Sequence, residues 1–279
     1  MKLNIVITGA NGFIGNYLTQ YFAQQGHQVY ALVHHLYKAP PPNITYRAFD
    51  LHSFASDVIP EGTDLVIHAA YIPYNKNNNE EDINYKASKR LLEMSRRKKV
   101  KQFIFFSSFS ASKNALSNYG QSKFKTEQLF NLNECLILAP GLVVGPGGLY
   151  NNIKNIIQAN KFIPLIANGN QVLQYIRIED LAEVIDQAVK NNIVGRYILA
   201  CEQSIKMKDF YKKIAKDINK HIFLIPMPYF IADLLFQFFD KLNIDIGISR
   251  ESLLGLKQME YKKIDNCETI FHYKLKPLL

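Results

Sequence analysis

A turn with three regularly spaced glycines constrains this chain more than any other feature. The β-branched run at residues 3–7 predicts a buried strand, and apolar residues at 13–22 recur at helical spacing. Gly9, Gly12 and Gly15 lie between these two segments. Glycine lets a ligand's phosphates approach the backbone, and a helix N-terminus offers them free N–H groups and a positive dipole. The spacing predicts a phosphate-binding turn, with a tight turn that holds no ligand as the simpler alternative.

Short apolar runs alternate with helical patterns up to about residue 140. Strands are predicted at 28–33, 44–49, 64–69, 101–107 and 135–139, and helices at 84–98 and 119–129. This alternation predicts an α/β fold of Rossmann type, a doubly wound parallel sheet that binds ligands beyond the carboxyl ends of its strands. Further helices at 153–159, 179–190 and 207–218, with a strand at 196–200, predict a smaller C-terminal substrate-binding lobe.

These patterns divide the chain into two domains. We expect residues 1–140 plus about 170–200 to form the dinucleotide-binding domain, and about 141–169 plus 201–279 to form the substrate-binding lobe. A substrate would then bind in the cleft between them.

Charge, cysteines and hydropathy limit the partners. The net charge of +9 and the basic cluster at 96–99 suggest nucleic acid or an anionic membrane as partners, but a solvated helix end explains the cluster better.

Three dispersed cysteines predict neither a disulfide framework nor a metal site, and favour a reducing, cytoplasmic location. Prolines and Asp233 interrupt the most apolar run, 222–239. We therefore expect a buried or substrate-facing helix there, with shallow membrane contact as the alternative and no integral membrane segment.

A tyrosine and a lysine four residues apart suggest the chemistry. Tyr119 and Lys123 share one face of a predicted helix, and a nearby ammonium lowers the pKa of a phenol. Ser108 follows the fifth predicted strand and could hold a substrate oxygen. A tyrosine tuned in this way can transfer protons near neutral pH.

With these motifs, the chain resembles the extended short-chain dehydrogenase/reductase superfamily, in its NAD-dependent epimerase/dehydratase branch. The resemblance begins at the glycine turn, 8–15, and continues through 50–51, 64–70, Asn84, 107–108, the Tyr119/Lys123 pair and 139–141. Further matches lie at 176–182, 265–266 and 273–277.

The resemblance implies roles for individual residues. The catalytic set would be Tyr119 as general acid/base, Lys123 on the nicotinamide ribose, and Ser108 on the reacting oxygen, with Ser110 as a less favoured substitute. Further residues expected at the cofactor are Gly9, Asn11, Gly12, Phe13, Ile14, Gly15, His34, Asp50, Leu51, Ala69, Ala70, Tyr71, Asn84 and Pro140. The expected substrate is a nucleotide-diphosphate sugar used in polysaccharide biosynthesis, without a metal. The expected assembly is a homodimer that pairs through helices 84–98 and 119–129.

Departures from the family pattern narrow the reaction. The second strand ends in His34 and His35, with no carboxylate for a ribose 2′-hydroxyl, so we expect NADP(H) rather than NAD(H), with Lys38 as a further candidate contact. The carboxylate pair that the family's sugar dehydratases carry after the serine is missing, which argues against dehydration. Arg177 and Arg250 are candidates for gripping a diphosphate.

The favoured interpretation is a 4-keto-6-deoxy sugar nucleotide reductase. A nucleotide-sugar 4-epimerase with tightly held NAD is the close alternative. A protein that senses NADP or acts as a scaffold without turnover is an alternative of another class.

Overall fold

The computed structural model describes residues 2–36, 39–73, 80–241, 250–259 and 261–278. Its strands are β1 (Asn4–Thr8), β2 (Gln28–Val33), β3 (Ile44–Ala48), β4 (Leu65–His68), β5 (Gln102–Phe106), β6 (Cys135–Pro140), β7 (Leu142–Val144), β8 (Phe162–Ile166), β9 (Val172–Leu173), β10 (Tyr175–Arg177), β11 (Gly195–Leu199), β12 (Ile205–Lys206) and β13 (Phe223–Met227). Its helices are α1 (Phe13–Gln24), α2 (Glu80–Arg97), α3 (Asn118–Glu127), α4 (Gly148–Ala159), α5 (Ile178–Lys190), α6 (Met207–Asp217), α7 (Tyr229–Lys241), α8 (Arg250–Lys257) and α9 (Cys267–Phe271).

A seven-stranded parallel sheet organises the described residues, in the order β11-β6-β5-β4-β1-β2-β3. The predicted Rossmann-type α/β fold is therefore confirmed. The chain runs outward from β1 to β3 and then crosses to β4 on the other side of β1, so the strand order reverses between β1 and β4. A sheet of this kind binds its ligand in the crevice at such a reversal, beyond the carboxyl ends of the strands.

Alternate side chains of each strand enter two different cores. In β5, Ile104 and Phe106 pack with residues of α1 and α5 on one face of the sheet, whereas Phe103 and Phe105 pack with α2 on the other. Helices on both faces bury the central strands β1, β4, β5 and β6, which explains why these strands are continuous apolar runs rather than alternating ones.

A third core, formed by residues of α4, α6, β8 and β13, belongs to the smaller lobe. The very short pairs β10–β7 and β12–β9 form separate sheets, and Val144, Leu173 and Tyr175 of these strands contribute to this third core. Residues 265–276 pack on the large sheet instead: Phe271 is fully buried in its core, Asp265 accepts a hydrogen bond from Ile198 N, and the Tyr273 hydroxyl donates to Asp180. The division into two domains stays a proposal, and this packing favours assigning residues 265–276 to the dinucleotide-binding domain.

The apolar run 222–239 departs most from expectation. It divides into β13 and α7, and Phe230 and Leu234 are 74% and 66% exposed. Of the two predicted arrangements, the buried helix is therefore wrong and the substrate-facing helix stays a prediction: the amphipathic pattern is present, but its apolar side faces outward. Across the described residues, no helix combines the length and hydropathy needed to cross a bilayer.

Candidate active site

A cavity of about 170 Å³ lies at the carboxyl ends of β4, β5 and β6. It is lined by Ile14, Ala69, Tyr71, Phe106, Ser107, Ser108, Tyr119, Lys123, Pro140, Gly141 and Val143. The fold thus brings the three residues expected to be catalytic to one wall, together with four of those expected at the cofactor.

The hydroxyl groups of Ser108 and Tyr119 both lie at this wall. Ser108 leaves the end of β5, and its Oγ lies 2.8 Å from the Oγ of Ser110. Burial raises the pKa of Tyr119, and the neighbouring Ser108 hydroxyl opposes that rise. The sequence predicted a lowered pKa through Lys123, and this prediction is wrong for the structure described.

Close packing at Gly120 holds Tyr119 against the Ser108 loop. Helix α3 starts after Ser117, whose Oγ accepts a hydrogen bond from Gly120 N at 3.1 Å. A Cβ atom at Gly120 would lie 2.5 Å from the Ser110 carbonyl oxygen, so only glycine allows this approach. From the other side, Glu251 of α8 accepts a hydrogen bond from Tyr119 N at 3.2 Å.

The Lys123 ammonium lies beneath the cavity. It donates a 2.7 Å hydrogen bond to the carbonyl oxygen of Phe106 and lies 4.8 Å from the centre of the Tyr71 ring. Burial lowers the pKa of Lys123 to about 7, and the Glu127 carboxylate opposes that shift. Lys123 lies 5.9 Å from the centre of the Tyr119 ring, so in this arrangement its charge is directed to the backbone rather than to the phenol.

Glu127 is a buried site residue that sequence reasoning missed. Its side chain is 4% exposed, accepts a hydrogen bond from the Ser107 hydroxyl, and pairs with Arg196 of β11 at 2.8 Å. The signal was present, because Glu127 follows Lys123 by four residues and therefore shares its helix face. Its partner lies 69 residues away, which no local pattern reveals.

A directed hydrogen-bond chain, also missed, runs under the crevice between β1 and β4. Ser88 Oγ donates to Asn84 O, so it accepts from His68 Nε2 at 2.9 Å. His68 Nδ1 in turn accepts from Thr8 Oγ1 at 2.7 Å, and Thr8 Oγ1 accepts from Ala70 N at 3.1 Å. The chain requires a neutral imidazole, and burial, reinforced by the nearby Lys123 ammonium, lowers the pKa of His68 to about 3.

Asn84, which was expected at the cofactor, acts on the loop after β4. Its side chain accepts a hydrogen bond from Ile72 N at 3.0 Å and donates one to Ile72 O at 2.9 Å. It therefore supports the segment that carries Tyr71, whose ring contacts Tyr119 with 4.9 Å between ring centres.

The glycine turn packs its backbone closely against itself and against the end of β4. Gly9 has a φ of +70°, and a Cβ atom there would lie 2.8 Å from the Ala70 backbone. At Gly15 a Cβ atom would lie 2.2 Å from the Gly9 carbonyl oxygen. The N-cap residue of α1, Gly12, supplies no side-chain hydrogen bond to the helix N–H groups. This side-chain-free cradle at a helix N-terminus fits the diphosphate of a dinucleotide.

The end of β2 carries a polar cluster. Asn11 accepts a hydrogen bond from His34 N at 2.8 Å, and the His34 ring touches both the His35 ring and the Asp50 carboxylate, with 3.5 Å between His34 Nε2 and Asp50 Oδ2. The Asp50 carboxylate, two residues after the end of β3, therefore lies beside the His34 ring. Lys38 lies outside the described residues.

Four other residues predicted at the cofactor or the substrate do not line the cavity. Leu51 is buried in the core beneath the sheet, and Phe13 packs against the Gly147 backbone. Arg177 and Arg250 do not line the cavity: Arg177 pairs with Glu179 at 3.4 Å, and Arg250 pairs with Asp233 at 2.7 Å.

Two curated proteins resemble this chain. The Epimerase family protein YfhF of Bacillus subtilis is 25% identical over 261 residues, covering 82% of this chain and 84% of that protein. A ceramide reductase of Caulobacter vibrioides is 24% identical over 203 residues, which are 68% of this chain but only 62% of that protein.

Among solved structures, the UDP-glucuronic acid 4-epimerase of Bacillus cereus, bound to NAD, shares the fold with a TM-score of 0.70. Its sequence is 21% identical, and the match covers 81% of this chain and 87% of that one. The model of the NAD dependent epimerase/dehydratase family matches residues 5–199, which include the glycine turn and the Ser108, Tyr119 and Lys123 wall. The chain is therefore an enzyme of the NAD-dependent epimerase/dehydratase family.

Proposed function

We propose that this protein is an NAD(P)-dependent reductase that acts on a nucleotide-linked 4-keto-6-deoxy sugar. The placing of Ser108 and Tyr119 on the wall of one cavity carries the proposal, because it presents two hydroxyl groups to one reacting oxygen. When bound, a nicotinamide dinucleotide supplies the hydride.

The protonated phenol of Tyr119 suits a reduction step. A phenol whose pKa lies above its usual value stays protonated at neutral pH, so Tyr119 is ready to donate its proton to a carbonyl oxygen. Ser108 holds the same oxygen and keeps it in line with the phenol. An enzyme that starts by oxidising its substrate needs Tyr119 as a base, and burial disfavours that form.

Lys123 is proposed to bind the nicotinamide ribose, and its protonation should govern that binding. In the chain described, the pKa of Lys123 is lowered to about 7, so the ammonium is present mainly below that pH. Cofactor affinity should therefore fall as the pH rises above about 7, and Lys123→Met should remove that pH dependence. Calorimetric titration across the pH range tests both statements.

We propose that NADP(H) binds more tightly than NAD(H), because His34 occupies the position of the carboxylate that repels a ribose 2′-phosphate. The preference should be about tenfold, the scale of one exposed ion pair. His34→Asp should abolish or reverse it, and the matched exposed variant His221→Asp should leave it unchanged. Calorimetric titration with NADPH and NADH decides, and a wild-type protein that binds NADH at least as tightly contradicts the preference.

The reaction itself is tested by mixing the purified protein with NADPH and a UDP- or dTDP-linked 4-keto-6-deoxy sugar. Oxidation of NADPH in proportion to the keto sugar consumed supports the reductase. The Caulobacter relative is named a reductase, which also favours net reduction. No oxidation with any keto sugar nucleotide contradicts the proposal.

The second candidate function is a nucleotide-sugar 4-epimerase. It is favoured by the fold neighbour that binds NAD and is named a UDP-glucuronic acid 4-epimerase. This candidate predicts NAD that remains with the protein through purification, and interconversion of two sugar nucleotides without net cofactor turnover.

We propose a homodimer in which the neighbouring helices α2 and α3 of each copy form a four-helix interface. Light scattering at micromolar concentration checks this, and a species of only 32.0 kDa, the mass of one chain, contradicts it.

A further inference from the structure

Helix α7 turns its apolar side away from the protein. Phe230, Leu234 and Phe238 follow at four-residue spacing on one side and are 74%, 66% and 56% exposed. Residues on one side of a helix recur at this spacing, so the three side chains form a continuous stripe. Single exposed apolar residues are ordinary, but a stripe of large ones marks an interaction surface.

Polar contacts on the inner side of α7 fix this orientation. The Tyr229 hydroxyl donates to Leu256 O at 3.1 Å and accepts from Gln171 Nε2 at 2.9 Å. Arg250 of α8 binds Asp233 at 2.7 Å. Rotating the helix to bury its stripe would break these contacts, so the exposure is a built feature of the fold.

The strands before α7 also expose large apolar side chains. Phe162 of β8 and Phe223 of β13 stack with 5.6 Å between ring centres and are 62% and 55% exposed, and Ile225 on the same strand is 49% exposed. Only Pro228 separates β13 from α7. We call these two strand faces and the α7 stripe together the apolar face.

The edge of the apolar face is basic. The exposed Lys161 ammonium lies 5.4 Å from the centre of the Phe223 ring, and Lys220 lies at the same end of the strand pair, bonded to Gln158 O. Of the two aspartates in the α7 sequence, Asp233 is bound by Arg250. Helix α6 of the same lobe adds four lysines against two aspartates, within a chain of net charge +9.

We propose that the apolar face docks this protein on the surface of a bilayer that contains anionic phospholipids. Phenylalanine and leucine side chains insert at the boundary between headgroups and acyl chains, while lysines at the edge attract anionic headgroups. A second copy of the chain fits less well, because two chains of net charge +9 repel each other. The helix lies on the bilayer and does not cross it. This docking does not depend on which reaction the enzyme performs.

Sedimentation with lipid vesicles tests the proposal. The whole chain should sediment with vesicles of equal parts phosphatidylcholine and phosphatidylglycerol, and less with phosphatidylcholine alone. Phe230→Ser/Leu234→Ser should lower the partition coefficient roughly tenfold or more, because it removes two inserting side chains. The control Leu36→Ser/Leu132→Ser changes two leucines that are 60% and 45% exposed elsewhere, and should leave partitioning unchanged.

The electrostatic part has its own variant. Lys161→Glu should weaken binding to the anionic vesicles alone, and added salt should have the same effect. The matched surface variant Lys89→Glu should bind as the wild type does. This pair keeps the test decisive even if the double serine variant fails to fold.

Three results would overturn the proposal. One is no sedimentation of the wild type with either vesicle. A second is equal loss of binding in the apolar-face and control variants. The third is a dimer in light scattering that Phe230→Ser/Leu234→Ser dissociates while vesicles bind no protein, which assigns the apolar face to a second copy of the chain.

Discussion

The cavity wall at the carboxyl end of the sheet and the apolar face of the smaller lobe use side chains in opposite ways. At the wall, charged groups such as Lys123 and Glu127 are taken out of water and each is held by a specific partner. At the apolar face, phenylalanines and leucines are left in water. Burial at the wall shifts the pKa values of catalytic groups and fixes their positions, and proton transfer requires both. The exposed side chains of the apolar face do not stabilise the fold, and they are therefore available for contact with a bilayer.

Two Glu–Arg ion pairs, one buried near the wall and one on the surface, show the effect of burial most clearly. Glu127–Arg196 is nearly buried at its carboxylate, whereas Glu134–Arg96 is more than half exposed on both sides. Glu127→Gln should lower the free energy of unfolding by about 3 kcal/mol, because it leaves a guanidinium and a hydroxyl without their charged acceptor. Glu134→Gln should cost less than about 1 kcal/mol. Urea unfolding at neutral pH measures both losses of stability. Equal losses in the two variants would show that burial does not strengthen the ion pair near the wall.

A pH titration of stability tests the neutral His68. Its pKa is about 3 when folded against 6.5 when unfolded, so its contribution to stability is complete above pH 6.5. As the pH falls below 6.5 the unfolded chain takes up a proton that the folded chain excludes. The free energy of unfolding should therefore decrease by up to about 1.4 kcal/mol per pH unit down to about pH 3.

Variants isolate this contribution from that of the carboxylates. His68→Asn should flatten the slope between pH 6.5 and 4 relative to wild type, and the exposed His221→Asn should not. Urea unfolding at several pH values gives the slopes, and parallel curves for wild type and His68→Asn would show that His68 is not held neutral.

The smallest effect is expected at the apolar face. Leu234→Ala should change the free energy of unfolding by less than about 0.5 kcal/mol, because its side chain is already solvated. The same truncation at the fully buried Leu181 should cost about 3 kcal/mol. A large loss at Leu234 would mean that the apolar face is covered within the folded chain.

Local patterns in the sequence predicted the wall far better than the apolar face. The glycine turn, the strand that ends at Ser108 and the spacing of Tyr119 and Lys123 each span only a few residues, so periodicity and motif spacing reveal them. The pairing of Glu127 with Arg196 and the approach of Asp50 to His34 depend on which strands become neighbours. No local rule contains that information.

The orientation of α7 was wrongly predicted for a related reason. Its periodicity correctly indicates an apolar side, but a helix pattern does not state whether that side meets the core or the solvent. The contacts of Tyr229 and Asp233 with distant segments decide the orientation.

The rate of the chemical step in Tyr119→Phe tests the central claim most directly. The substitution keeps the ring and removes the transferable proton, so the stopped-flow rate of NADPH oxidation with a 4-keto sugar nucleotide should fall at least roughly a hundredfold. NADPH affinity, measured on the same sample, should be unchanged, and the control Tyr85→Phe on α2 should react at the wild-type rate. A Tyr119→Phe protein that oxidises NADPH at close to the wild-type rate would contradict the assignment of this wall as the reaction centre.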